Sequence, residues 1–242
     1  MNRGIYATGT GMLAAEKLLD ITANNIANVN TTGYKSDTVA FNDVFQRELG
    51  FNNEAFAGIG TLGNGPQFIG QYADFTEGAL QVTHNPMDVA IAGENGMFAI
   101  QAPQGVRYTR DGSFTLAPDG TLVTSQGYPV LDNTGNTINV GSTGELHIGN
   151  DGTLEVGGKK IASLGVYDGT FAKEGASLWT STNASVEETP NVRQGTLESS
   201  NVNPMLAMID MIKISRAVEM AQKSIQSQDD SSDKLISSLN QG

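Results

Sequence analysis

The residues best able to do chemistry in this chain are few and poorly placed for it. Histidine occurs twice. His147 falls on the outward position of a predicted strand, Leu146-His147-Ile148, and His84 in a predicted loop, Val82-Thr83-His84-Asn85-Pro86. Both read as surface or structural residues. Cysteine is absent, which removes disulfides, thiolate ligands and a Cys nucleophile. Many carboxylates sit in turns: Asp111, Asp119, Asp151 and Asp168 each precede glycine, where Asp has a local backbone reason to be. Nothing nominates a glycosidase-like pair among them. Gly58-Ile59-Gly60-Thr61-Leu62-Gly63 spells the dinucleotide-binding pattern, but Asn64-Gly65-Pro66 follows where that pattern must open a helix. It reads as a glycine-rich connection. Asp132-Asn133-Thr134-Gly135-Asn136 lacks the spacing and terminal Glu of a calcium loop. No nucleophile elbow, zinc helix or phosphate loop occurs. The sequence predicts no catalytic, cofactor or metal residue, and no enzyme.

Charge narrows the partners. Lys and Arg number 14 against 26 Asp and Glu, a formal charge of −12. Such a surface repels phosphate backbones, so nucleic acid is not an expected partner. No apolar run approaches the ~18 residues of a membrane span, so no membrane insertion is expected. The amino terminus, Met1 to Gly11, lacks the apolar core of a cleaved signal peptide.

The elements carry more information than the reactive groups. From residue 5 to 29 the apolar spacing is helical: Ile5, Met12, Leu19 and Ile26 recur every seven residues, and Thr8, Ala15, Thr22 and Val29 form a companion row. That is a coiled-coil-like seam with small residues on one side. An Asn-rich stretch, Asn24, Asn25 and Asn28, lowers helix propensity, and Gly33 can supply a left-handed residue that stops the helix. Residues 36–74 read as an extended or loop connection, with one short amphipathic element around Phe41, Val44, Phe45 and Leu49.

Residues 75–190 read as a hairpin-rich antiparallel β domain. Asp-Gly pairs at 111–112, 119–120, 151–152 and 168–169 separate short alternating runs. Phe114–Leu122 and Leu146–Leu154 echo each other, and Val89–Ile91 with Met97–Ile100 predict a further strand pair. Residues 191–203 return toward the end of the chain. From Pro204, capped by Asn203, a second helix of about 50 Å is predicted. Its rows are Met211, Val218, Ile225, Ser232, Leu239 and Ala207, Ile214, Ala221, Gln228, Leu235, with a break or bend expected near Gln228 and Ser232. The fold class is mixed, mainly β, with the β domain flanked by N- and C-terminal helices that pair as a coiled coil.

These residues resemble a known family. Leu19–Asn28 with Thr32-Gly33-Tyr34-Lys35 is similar to the amino-terminal signature of bacterial flagellar rod and hook proteins. Asn85–Gly93, Gly96-Met97-Phe98, Tyr108–Phe114 and Asp119–Thr124 resemble that family's β domain. Gly195–Val202, then Met211-Ile212 with Arg216, Glu219 and Lys223, resemble its carboxy-terminal helix and approach. The chain departs from the family pattern at Met97, Val218 and Ala221. Its length and the stretch Leu197–Pro204 look most like a proximal rod subunit, with a distal rod subunit close.

The resemblance implies a structural subunit that self-assembles into a helical tube and transmits torque to hook and filament. It implies residues 1–35 and 204–242 in an inner helical tube, with the β domain outside. The interface residues would be Ile5, Met12, Ala15, Leu19, Thr22, Ile26 and Val29 on the first helix. On the second they would be Met211, Ile214, Val218, Ala221, Ile225, Leu235 and Leu239. Asn24, Asn25, Asn28, Gly33 and Tyr34 would form the turn. Implied partners are further copies, other rod subunits and the flagellar type III export apparatus, with no small-molecule substrate. The implied location is the basal-body rod in the periplasm, reached without a cleaved signal. The alternative from another class is a carbohydrate-binding or hydrolytic β domain with an intramolecular helical pair.

Overall fold

The computed structural model describes residues 2–45, 63–141, 146–175 and 177–239; the side chains of residues 2–7, 42–45, 63–67, 232, 235–236 and 238–239 lie outside the description. Two compact units emerge. One comprises residues 1–26, 37–72 and 204–242, and the other residues 27–36 and 73–203.

The first unit holds both helices and a two-stranded sheet. Helix α1 spans Asn2–Ala27, strands β1 and β2 span Asp37–Phe45 and Gly63–Ala73, and the two strands pair with each other. The stretch read as an extended or loop connection therefore holds two paired strands, and glycines in β2 hid its strand character. Of the short amphipathic element, Phe41–Phe45 is strand and Leu49 lies outside the described residues, as do Gly58–Leu62 of the glycine-rich pattern. Lys17 Nζ lies 5.7 Å above the Phe68 ring, and Phe41 meets Phe68 edge-on at 6.3 Å.

The second unit is antiparallel throughout. Its strands are β3 (Leu80–Val82), β4 (Val89–Ile91), β5 (Met97–Ala102), β6 (Gly105–Thr109), β7 (Phe114–Leu116) and β8 (Leu122–Thr124). There follow β9 (Leu146–Ile148), β10 (Thr153–Val156), β11 (Lys159–Ser163), β12 (Val166–Asp168) and β13 (Ala172–Lys173). The last are β14 (Trp179–Thr180), β15 (Ser185–Val186), β16 (Val192–Gln194) and β17 (Thr196–Glu198). A six-stranded sheet runs β13-β14-β6-β5-β12-β15 and a three-stranded one β11-β10-β9; β16-β4, β17-β3 and β7-β8 are pairs. Val89–Ile91 and Met97–Ile100 are strands as expected, yet they do not pair with each other: β4 takes β16, and β5 takes β6 and β12. The 93–96 turn carries two positive-φ glycines and sends the chain between sheets. The Asp-Gly turns at 119–120 and 151–152 do join β7 to β8 and β9 to β10.

The larger core packs Val89, Ile91, Phe98, Ile100, Phe114, Leu122, Val130, Leu154 and Val166 together. A smaller cluster gathers Met97, Ala99, Tyr108, Leu131 and Trp179, with Phe75 5.1 Å from the Trp179 ring. His147 is exposed between buried Leu146 and Ile148, as its strand position requires.

Helix α2 spans Pro204–Leu239 and runs without the expected break. Neither Pro nor Gly interrupts it, and Ser231 and Ser237 satisfy their hydroxyls on the carbonyls of Ser227 and Asp233, so polar residues cost it only their modest propensities. Among the described residues no helix is long and apolar enough to cross a membrane.

Candidate functional site

The chain crosses between the two units after Ile26, Ser36, Tyr72 and Asn203. Within the second unit, residues beside three of those crossings are bonded together. Asp74 N–H donates to Ser36 O at 2.8 Å. Ser36 N–H donates to Asn201 Oδ1 at 2.8 Å. Asn201 Nδ2 donates to Asp74 O at 2.9 Å and to Thr76 O at 3.2 Å. One Asn side chain thus ties the entering and leaving strands of the chain at a single place.

Behind this knot lies a buried charge cluster. Lys35 Nζ donates to Glu198 Oε1 at 2.7 Å and to the carbonyls of Phe75 and Thr76 at 3.2 and 2.8 Å. Arg110 Nε donates to Glu198 Oε2 at 2.6 Å. Gly78 N–H adds a third bond to Glu198, at 2.9 Å. The rest of the Arg110 guanidinium is spent on backbone: Asn95 O at 3.0 Å, Ile91 O at 3.1 Å, and the carbonyls of Gly93 and Gly96. All three charged side chains are 1% exposed. Taking an ion out of water costs several kcal/mol, recovered only when geometry and further hydrogen bonds are good. Here every partner is supplied, so the cluster fixes geometry more than it adds stability. Burial pushes the Lys35 ammonium below its ordinary pKa, and the Glu198 carboxylate opposes that shift without cancelling it.

The turn that leads into the cluster is built from its own residues. Thr31 Oγ1 donates to Asn28 Oδ1 at 3.2 Å, and Thr31 N–H to Asn28 O at 3.1 Å. Helix α1 has already ended at Ala27, so Gly33 does not stop it. Gly33 instead has φ +65°, and a Cβ there would overlap the Arg110 carbonyl. Its N–H donates to Glu198 O at 2.8 Å. Gly78 is equally constrained, since a Cβ would overlap the Ser199 carbonyl oxygen. Tyr34 is fully buried, and Lys173 Nζ sits 4.1 Å over its ring while donating to Lys35 O at 3.2 Å.

In the first unit, Asn25 and Asp37 form a two-point clasp: Asn25 Nδ2 donates to Asp37 O and Asp37 N–H to Asn25 Oδ1, each at 2.9 Å. Asn24 is exposed. On α1 the seam residues Met12, Ala15, Leu19, Thr22 and Ile26 are partly buried, as is Val29 just beyond it, while Leu13 is 67% exposed; Ile5 lies outside the described side chains. On α2 the half-covered positions are Ala207, Met211, Ile214, Val218, Ala221, Ile225 and Gln228, the two heptad rows, and every other described α2 side chain is exposed. Leu235 and Leu239 lie outside the described side chains. Met205, Met208, Ile209 and Ile212 form a further apolar face, each 43–72% exposed.

The sequence reading named the turn and seams but missed Lys35, Arg110, Glu198 and Asn201 as a site. A signal existed for one of them. Glu198 shares strand parity with buried Thr196 on β17, so it is a charge on an inward face. Among the described residues no group of three or more His, Cys, Asp or Glu could hold a metal.

Comparisons with known proteins identify the family. A family model described as flagella basal body rod protein matches residues 5–35. The flagellar hook protein FlgE/F/G D1 domain model matches residues 90–156, and the flagellar basal body rod FlgEFG protein C-terminal model matches residues 193–238. The chain is 36% identical to the flagellar basal-body rod protein FlgF of Rhizobium meliloti over 249 residues, covering 99% of this chain and 98% of that one. It is 36% identical to FlgF of Caulobacter vibrioides over 92% of each chain, and 32% identical to the rod protein FlgG of Bacillus subtilis over 98% of each.

Proposed function

This chain belongs to the flagellar basal-body rod protein family and is a structural subunit of that rod, and we propose that its terminal helices pair with each other and with those of neighbours to form an inner tube. The observation that carries the proposal is the burial pattern of α2. Its two heptad rows are only half covered, and a second apolar face beside them stands open. A helix of this kind completes its burial against other helices. Assembly would use Ile5, Met12, Ala15, Leu19, Thr22, Ile26 and Val29 of α1 and its turn. On α2 it would use Met211, Ile214, Val218, Ala221, Ile225, Leu235 and Leu239.

The subunit acts in the flagellar basal body and interacts with other rod subunits. Its role is structural. In the proposed mechanism, head-to-tail contacts that do not close into a ring give a helical filament, and torque passes through it to hook and filament. The clasp of Ser36, Asp74 and Asn201 and the Lys35–Glu198–Arg110 cluster fix where the chain enters and leaves the β domain, so load reaches that domain at one anchored place. We place the subunit in the proximal rod, with the distal rod as the alternative, and the stretch Leu197–Pro204 supports that choice. Export by the flagellar type III apparatus and residence in the periplasmic part of the rod complete the reading. The test is replacement of Ile26 by Asp: the β domain should keep its fold while the chain disappears from isolated basal bodies.

A further inference from the structure

The two larger sheets of the β domain have four edge strands between them: β9, β11, β13 and β15. Two are blocked. Gln194 caps β9 from the side, its Nε2 donating to Leu146 O at 2.9 Å and its Oε1 accepting from Ile148 N–H at 3.1 Å. Strand β13 is engaged through Lys173, which is held by the Tyr34 ring and the Lys35 carbonyl. The remaining edges, β11 and β15, carry opposite charge.

The β11 edge reads Lys159-Lys160-Ile161-Ala162. Lys159, Lys160 and Ile161 are exposed, Ile161 by 42%. Ile161 is the extra residue of a bulge, for β10 pairs Leu154 with Ala162 and Glu155 with Lys160. The other cations of the β domain are differently placed: Lys35 and Arg110 are buried, Arg107 is paired with Glu174, Lys173 is engaged, and Arg193 stands singly on β16. Lys159 and Lys160 are thus the adjacent cations among the described residues of this unit, both exposed, with Lys160 Nζ also donating to Thr153 Oγ1 at 3.4 Å.

The β15 edge reads Ser185-Val186-Glu187-Glu188, with Val186 exposed by 40%. Glu187 N–H donates to Val166 O of the neighbouring strand at 2.9 Å. Val186 lies opposite Tyr167, so by the alternation of an antiparallel ladder its N–H and C=O point to the open side.

We propose that these two edges pair between successive copies, β11 of one subunit adding antiparallel to β15 of the next. The proposal rests on the rod reading above and deepens it by naming a contact between β domains. Setting Ile161 opposite Val186 brings Lys160 opposite Glu187 and Lys159 opposite Glu188. Opposite charges directly across a ladder stabilise it, and like charges oppose it. A parallel arrangement with the same apolar contact would put Lys160 opposite Ser185 and lose both ion pairs. Lysines and a bulge on an edge ordinarily guard it against indiscriminate pairing. Here the same guard rejects a second β11 edge and admits the acidic β15 edge. Because the two surfaces differ, the contact is heterologous and propagates.

The chain's lack of cysteine permits a direct test. A chain carrying Ile161→Cys and Val186→Cys replaces the wild type in cells, basal bodies are isolated and oxidised, and covalent oligomers are counted. The expected result is a ladder of dimers and higher species, at least tenfold stronger than for Ile161→Cys with Ser185→Cys, because Ser185 and Val186 face opposite sides of the regular strand β15. Chain present in basal bodies with no ladder, or with equal ladders from both pairs, overturns the edge pairing and leaves the rod reading standing. Absence of the wild-type chain from basal bodies overturns the rod reading itself. If the double-cysteine chain fails to incorporate, exchanging the charges decides. Lys159→Glu with Lys160→Glu, or Glu187→Lys with Glu188→Lys, should cut incorporation at least tenfold, and all four together should restore it. Half-exchanged chains that incorporate normally, or a full exchange no better than either half, contradict the proposal.

Discussion

Lys35 and Glu198, 163 residues apart in sequence, meet at 2.7 Å with both side chains buried. The pair joins the turn after α1 to the strand before α2. Arg110 closes the same carboxylate from its other oxygen. The turn after α1 and the strand before α2 are therefore tied by an ionic lock inside the β domain.

Removing the shared anion should be costly. Glu198→Gln leaves two buried cations without their counter-charge, and breaking such a pair costs about 3–5 kcal/mol. Trp179 is the sole tryptophan and is buried in the β domain, so its fluorescence during urea unfolding reads this unit. A midpoint within error of the wild type would show the lock to be energetically idle.

Gly33→Ala should destabilise the same unit. Positive φ costs a side chain about 1–2 kcal/mol, and the overlap with the Arg110 carbonyl adds about 1–3 kcal/mol of overpacking. The expected loss in the same Trp179 assay is about 2 kcal/mol or more.

The buried lysine gives a pH signature. Its folded pKa is lowered from 10.5, chiefly by burial, so between the two values the unfolded state binds more protons and stability rises with pH. Its contribution is fully present above the unfolded pKa and is lost as pH falls through the folded one. Tyr108 and Tyr167, raised by burial, act oppositely above pH about 10. The difference between wild type and Lys35→Met isolates the lysine: wild type should gain on the variant as pH rises through the alkaline window below that point. A difference that stays flat or shrinks would contradict the assigned direction.

Ile26→Asp should separate folding from assembly. The substitution puts a charge on a half-covered seam position of α1, and the Trp179-reported transition should stay within about 0.5 kcal/mol of wild type, as for sites away from the affected unit. Motility and recovery of the chain in basal bodies should be lost.

Much of the architecture was legible because it is local. The seven-residue spacing of Met12, Leu19 and Ile26, and of Ala207, Ile214 and Ala221, states two helices outright. The alternation of Leu146, His147 and Ile148 about Asp151-Gly152 states a hairpin. The charge lock was not legible, because its members are separated by 88 and 163 residues, and only the fold brings them to one carboxylate. The pairing of β1 with β2 was hidden for a different reason: glycines in β2 weaken the strand signal that its partner supplies in space. The uninterrupted α2 shows the reverse error, where polar residues on a helix were read as a break although nothing in them stops the backbone.

If the helices complete their burial only in the assembled rod, hydrogen exchange will show it. Amide protection should be compared between the purified chain in dilute solution and the same chain in isolated basal bodies. Helices α1 and α2 should gain strong protection on assembly while β5 and β6 are protected equally in both. Helices already as protected as β5 and β6 in the dilute chain would contradict this.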